Sequence, residues 1–153
     1  MSQSHAADAS SSGSLIHELG RTLDAANAYL EALMAHEGVT GLVPSHGDIL
    51  SALFEAEPAS MQQLAEACGR DPSTVTALVK KLVSAGYVAV ERCPNDGRSR
   101  WVTLTDEGRA LRPKFERISA RLREAQSQGV TPAELAEVQR VLGIIRSTFG
   151  KES

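Results

Sequence analysis

From Ser14 to about His36 the apolar residues Leu15, Ile16, Leu19, Leu23, Ala26, Leu30, Leu33 and Met34 recur at steps of three and four, the period of an amphipathic helix. Gly38 and Gly41 end that pattern. Pro44 opens a second helix, with Ile49, Leu50, Leu53 and Phe54 on one side, and it stops before Pro58. Ser60 and Gln63 form a Ser-x-x-Gln capping box ahead of Leu64 and Ala65. The helix it starts is short and ends at Gly69. Asp71-Pro72 restarts helix at once, with Asp as N-cap and Pro at the first helical position. Val75, Leu78, Val79 and Leu82 form its buried stripe, and Gly86 closes it. Two short helices joined by a glycine-containing turn read as a helix-turn-helix.

After Gly86 the period changes. Tyr87 to Val90 and Trp101 to Leu104 read as two strands, and the CPNDGRS between them supplies turn residues. Thr105 caps a long helix with Asp106 and Glu107 in its first turn, where the dipole favours acids. Its apolar positions are Leu111, Phe115, Ile118 and Leu122, and Gly129 ends it. Thr131-Pro132-Ala133-Glu134 is another capping box, ahead of a last helix bearing Leu135, Val138, Val141, Leu142, Ile145 and Phe149. The expected fold is mainly α with a small β-hairpin wing: a winged helix-turn-helix over residues 44–108, an N-terminal helix over 14–43, and C-terminal helices over 109–153. Residues 1–13 (MSQSHAADASSSG) are polar and aperiodic and read as a disordered tail.

A chain of 153 residues suits one domain with a sizeable core. Aromatics are only 4%, so that core must be mostly Leu, Val, Ile and Ala. The start lacks the basic residues and apolar run of a signal peptide, and no stretch approaches a membrane span. The expected location is the cytoplasm. Cys68 and Cys93 have no metal-ligand spacing and read as reduced thiols. His36, Glu37 and His46 are metal-ligand types, but no His follows in the last two helices, so no metal site is expected and loop solubility accounts for them. No nucleophile–base pair, phosphate loop or paired-acid motif is present. Neither an enzyme nor a cofactor is expected.

The net charge of −3 hides a split. Between Arg70 and Arg117 lie ten bases and six acids, a local balance of +4 that leaves −7 elsewhere. A localised basic face points toward nucleic acid. A hairpin needs no guanidinium groups to close, yet RCPNDGRSRWVTLTDEG threads arginines through its turn.

The segment DPSTVTALVKKLVSAGYV resembles the recognition helix of the MarR family of bacterial transcriptional regulators. DGRSRWVTLTDEG resembles that family's wing, an Asp-x-Arg followed by a strand ending Leu-Thr and then a Gly. The likeness covers nearly the whole chain after residue 14. It implies a homodimer built by N- and C-terminal helices, a triangular outline, and binding to pseudo-palindromic operators. It also implies a ligand pocket between the DNA-binding and dimerisation regions. The chain departs from the family pattern at Cys93 and at Gly97, with Arg100 partly replacing a basic residue at the wing tip. It has no Cys before position 68, so the reactive Cys that the oxidant-sensing branch carries near the first helix has no counterpart.

The expected function is that of a sequence-specific DNA-binding repressor released by a small molecule. Ser73, Thr74, Thr76 and Ala77 face away from the buried stripe and would meet base edges, while Lys80 and Lys81 would meet phosphates. On the wing, Asp96 would hold Arg98, and Arg98 or Arg100 would reach the minor groove or its phosphates. An apolar pocket near Met34, His36, His46, Leu50 and Leu111 would suit an aromatic or amphipathic ligand. The alternative is a winged-helix module that binds protein, which would show an apolar outer face from Pro72 to Ala85.

Overall fold

The computed structural model describes residues 9–93, 95 and 99–151. Seven helices and three strands follow in order: α1 (Ala9–His36), α2 (Pro44–Glu55), β1 (Ala59–Ser60), α3 (Met61–Cys68), α4 (Pro72–Ser84), β2 (Val88–Arg92), β3 (Arg100–Leu104), α5 (Asp106–Ala110), α6 (Arg112–Ser127) and α7 (Pro132–Lys151). The chain divides into two compact units, residues 1–118 and 119–153. The expected mainly helical fold with a hairpin is the one observed.

Three local readings are corrected. Helix α1 begins at Ala9, so residues 9–13 extend it and do not belong to a tail; residues 1–8 lie outside the described ones. A helix already nucleated downstream grows backward at little cost, even through serines. The sheet has a third strand, β1, whose Ala59 and Ser60 pair antiparallel with Val102 and Trp101 of β3. Two residues cannot show a period, and Ser60 also serves as the N-cap of α3. The helix after Thr105 is broken at Leu111. Pro113 has no N–H for the carbonyl of Arg109 and its ring crowds that carbonyl. The turn tightens instead, Leu111 N–H donating to Gly108 O at 3.1 Å, before Phe115 N–H donates to Leu111 O at 3.0 Å.

The core of the first unit collects one face from each element. Ile49, Leu50 and Leu53 of α2, Leu64 of α3, and Val75, Val79 and Leu82 of α4 are almost wholly buried, with Val102 of β3. Leu33 and Met34 of α1 join them, as do Leu111, Phe115 and Ile118. Helix α4 meets α2, α3 and β2. In the second unit, Thr131 and Glu134 exchange capping bonds at the start of α7, at 2.8 and 3.2 Å. Helix α7 buries none of its residues within the single chain, and Val138, Val141 and Ile144 are exposed.

The hairpin is tied to α5 by a close approach. Thr105 N–H donates to Tyr87 O, its hydroxyl donates to Gly86 O at 2.6 Å, and it accepts from Gly108 N–H at 3.1 Å. That knot leaves no room over Gly108. A β-carbon there would sit 2.0 Å from Tyr87 O. Gly108→Ala should therefore lower folding stability by about 3 kcal/mol, the upper part of the range for overpacking. Urea denaturation of the purified variant checks this, and an unchanged midpoint contradicts it.

His46 is buried at the third position of α2, and its Nδ1 accepts from Val43 N–H at 3.0 Å. It is a helix cap, not a solvating loop residue. Burial, and then the charge of Lys81, hold its pKa below the ordinary histidine value. A group depressed in the folded state contributes stability that is complete above the unfolded value near 6.5 and is lost as pH falls through the folded value. The urea midpoint should accordingly drop between pH 7.5 and 5. His46→Gln, which keeps an acceptor but cannot titrate, should flatten that part of the profile. An identical slope in both proteins contradicts the assignment.

Candidate nucleic-acid interface

The rotation of α4 about its axis is fixed by what it buries. With Val75, Val79 and Leu82 inside, the side chains of Ser73, Thr76, Ala77, Lys80 and Lys81 are exposed, and Thr74 is half-buried. Val83 is the only large apolar side chain exposed on α4. Five of the six residues expected on the outer face therefore share one solvent-facing surface, with Thr74 at its edge.

The first turn of α4 is organised by Asp71. Its carboxylate accepts from Thr74 N–H at 3.2 Å, from Thr74 Oγ1 at 2.6 Å, and from Ser73 Oγ. The hydroxyls of Ser73 and Thr74, and then the Thr74 amide, pull its pKa down to about 2, so it stays ionised at any physiological pH. Thr76 Oγ1 donates to Pro72 O at 2.8 Å.

Ion pairing divides the basic stretch in two. Arg70 pairs with Asp48 at 2.9 Å, Arg109 with Glu57 at 3.1 Å, Arg112 with Glu116 at 2.9 Å, and Arg117 with Glu37 at 2.7 Å. Arg112 also donates to Phe54 O, and Glu57 accepts from Leu104 N–H at 2.8 Å. These four arginines tie helices and sheet together. Their contribution to the local positive charge is structural. Lys80, Lys81, Arg92 and Arg100 have no ion pair with a described carboxylate and remain exposed. The basic face is narrower than the sequence suggests, and it is concentrated on α4 and the hairpin.

Arg92 was missed by sequence reasoning. In the hairpin register Arg92 stands directly opposite Arg100. Hydrogen bonds from Thr105 N–H to Tyr87 O and from Cys93 N–H to Ser99 O mark the bonded pairs, so Arg92 and Arg100 form a non-bonded pair, where side chains stand closest. The same face of the ladder runs through Val88 with Leu104 and Val90 with Val102, which point into the core. The core face of the sheet thus ends in two arginines at opposite register positions. Like charges directly opposite are unfavourable unless an anion lies between or beside them. Counting back equally from both ends of the turn would have revealed the pair. Asp96 and Arg98 lie outside the described residues.

Three of the residues expected around a ligand belong to one packed core cluster. Met34, Leu50 and Leu111 are packed in the core and His46 caps α2, while His36 is exposed at the end of α1. Two described clefts, of about 340 and 570 Å³, lie elsewhere, between α2 and α3 around Ala52, Ala56 and Ala67. No group of three or more metal-ligand side chains occurs among the described residues.

Comparison with known proteins agrees with this arrangement. Residues 37–99, from the end of α1 to the hairpin, match the model of the MarR family. The chain is 26% identical over 101 residues to the HTH-type transcriptional regulator MgrA of Staphylococcus aureus, covering 66% of this chain and 67% of that one. It shares its fold with BpsR of Bordetella bronchiseptica, whose DNA binding is regulated by 6-hydroxynicotinic acid, at a TM-score of 0.75 and 23% identity over 95% of this chain and 98% of that one. It also shares its fold with Sco3205 of Streptomyces coelicolor, solved in complex with DNA, at a TM-score of 0.78 and 20% identity over 96% and 92%. The segment 37–99, which holds the helix-turn-helix and the first strand of the hairpin, thus matches the MarR family of transcriptional regulators, and the chain shares its fold with winged-helix proteins.

Proposed function

We propose that the protein is a homodimeric repressor that binds a pseudo-palindromic double-stranded operator and is released from it by a small molecule. One observation carries the DNA contact. Of the described bases between Arg70 and Arg117 without an ion pair to a described carboxylate, Lys80, Lys81, Arg92 and Arg100 lie on the outer face of α4 and on the hairpin, and only Lys114 lies elsewhere, on α6. Ser73, Thr74, Thr76 and Ala77 then lie toward base edges, with the lysines on phosphates. Arg92 and Arg100, with Asp96 and Arg98 between them in the sequence, grip the flanking backbone or minor groove. Sco3205, of the same fold, was solved with DNA. A protein-binding module would instead expose an apolar outer face on α4, and Val83 alone does not make one.

The dimer is supported by apolar surface. Leu15, Ile16 and Leu23 are exposed on α1, and Val138, Val141 and Ile144 on α7. Regular apolar stripes left in water call for a partner surface. A two-fold dimer would carry two copies of α4 to half-sites about 34–36 Å apart. A ligand that alters that spacing removes both helices from their grooves together. The regulation of BpsR by 6-hydroxynicotinic acid supports a small aromatic ligand. Met34, Leu50 and Leu111 are packed in the core, so a ligand entering there must open that packing. No described helix is long and apolar enough to cross a membrane, and a regulator acting on DNA as proposed works in the cytoplasm.

Lys80→Ala, Arg92→Ala and Arg100→Ala should each weaken binding to every duplex and flatten the salt dependence by about one unit, since each removes about one phosphate contact. Fluorescence anisotropy at several salt concentrations measures this, and unchanged slopes in all three contradict the DNA reading. Sedimentation equilibrium at micromolar concentration should give a dimer; a monomer contradicts the assembly. Operator binding against a panel of aromatic acids, 6-hydroxynicotinic acid included, tests release. A complex that survives the whole panel contradicts it.

A further inference from the structure

The hydroxyl protons in the first turns of α4 are spent on the helix and its cap. Asp71 is an ionised carboxylate, which can only accept hydrogen bonds. Ser73 Oγ and Thr74 Oγ1 both lie within hydrogen-bond reach of it, so both must donate. The carbonyl of Pro72 is likewise only an acceptor, so Thr76 Oγ1, at 2.8 Å, must donate to it. A hydroxyl has one proton and two lone pairs. What Ser73 and Thr76 turn outward is therefore lone pairs, beside the negative charge of Asp71. From Pro72 to Ala77 the helix has no Arg, Lys, Asn or Gln to supply a donor. Its remaining outward side-chain groups are methyls, from Thr76 and Ala77.

We propose that the first turns of α4 read base edges as acceptors only, and so select sites that turn adenine or cytosine amino groups and thymine methyls toward Ser73, Thr76 and Ala77. The inference rests on the DNA-binding reading above and adds the polarity of its contacts. In the major groove guanine offers only the acceptors N7 and O6, adenine offers N6–H₂, cytosine offers N4–H₂, and thymine offers its methyl. Guanine placed under this surface meets lone pair against lone pair, next to a carboxylate. The lysines that could satisfy guanine begin at Lys80, beyond the first two turns.

The test uses the full-length protein and duplexes that it retains from a randomised library. In a retained half-site, adenine is replaced by purine lacking the 6-amino group, cytosine by its analogue lacking the 4-amino group, guanine by 7-deazaguanine, and thymine by uracil. At the bases covered by Ser73 and Thr76, loss of one amino group should weaken binding about fivefold to tenfold, the value of one net hydrogen bond. Those bases are located as the positions where Thr76→Val or Ser73→Ala abolishes the sensitivity. Thr76→Val should keep the response to uracil, because its methyls remain. In Asp71→Asn the helix cap persists, but the amide NH₂ donates to one hydroxyl and frees its proton. That variant should tolerate guanine where the parent rejects it. Weakening by 7-deazaguanine at those bases in the parent protein, or indifference to every amino deletion, overturns the proposal while leaving DNA binding intact. A protein that retains no duplex overturns both readings together.

Discussion

One helix face goes inside, and the rest of the site follows from that. Val75, Val79 and Leu82 are buried to within about a hundredth of their surface, each contributing roughly 1.5–3 kcal/mol. No rotation of α4 can keep all three inside and present a different set of residues to solvent. The same packing against α2, α3 and β2 fixes where the helix stands relative to the hairpin. The cap at Asp71 then decides how the first turn begins, and with it the direction of the hydroxyl protons. A hydrophobic constraint thus sets a polar surface that it never touches.

Charge does two separate jobs in this chain, and the presence of a carboxylate partner decides which. Arg70, Arg109 and Arg117 reach carboxylates of other segments, and Arg112, paired with Glu116 of its own helix, reaches the Phe54 carbonyl. Such exposed pairs contribute roughly 0–1 kcal/mol each, so their role is chiefly to neutralise the frame. Arg92 and Arg100, by contrast, are set against each other at the end of the ladder where the core runs out. The fold leaves that pair unfavourable on its own and best satisfied by an anion.

Much of this was legible in the chain. The capping boxes at Ser60 and Thr131 and the cap at Asp71 located three helix starts, because a cap is a local hydrogen bond between residues three apart. The alternation around the turn located the hairpin. What escaped depended on distant partners. Strand β1 exists only because β3 lies beside it. The break at Leu111 is a local consequence of Pro113 that the apolar spacing of Leu111, Phe115 and Ile118 concealed. The sum of ten bases and six acids could not distinguish arginines that hold the frame from those that face outward. His46 looked like a loop residue because its cap partner, Val43, is a backbone amide with no sequence signature.

The central claim is that the outer face of α4 enters a DNA groove. The most direct measurement is cleavage of bound DNA from that face. An iron chelate that generates hydroxyl radicals is attached at Ala77→Cys, in a chain carrying Cys68→Ser and Cys93→Ser, and the cut positions on a retained duplex are sequenced. The account predicts two clusters of cuts flanking major-groove sites about one helical turn apart, 10–10.5 base pairs centre to centre. Binding that persists with no cutting from position 77 would contradict it.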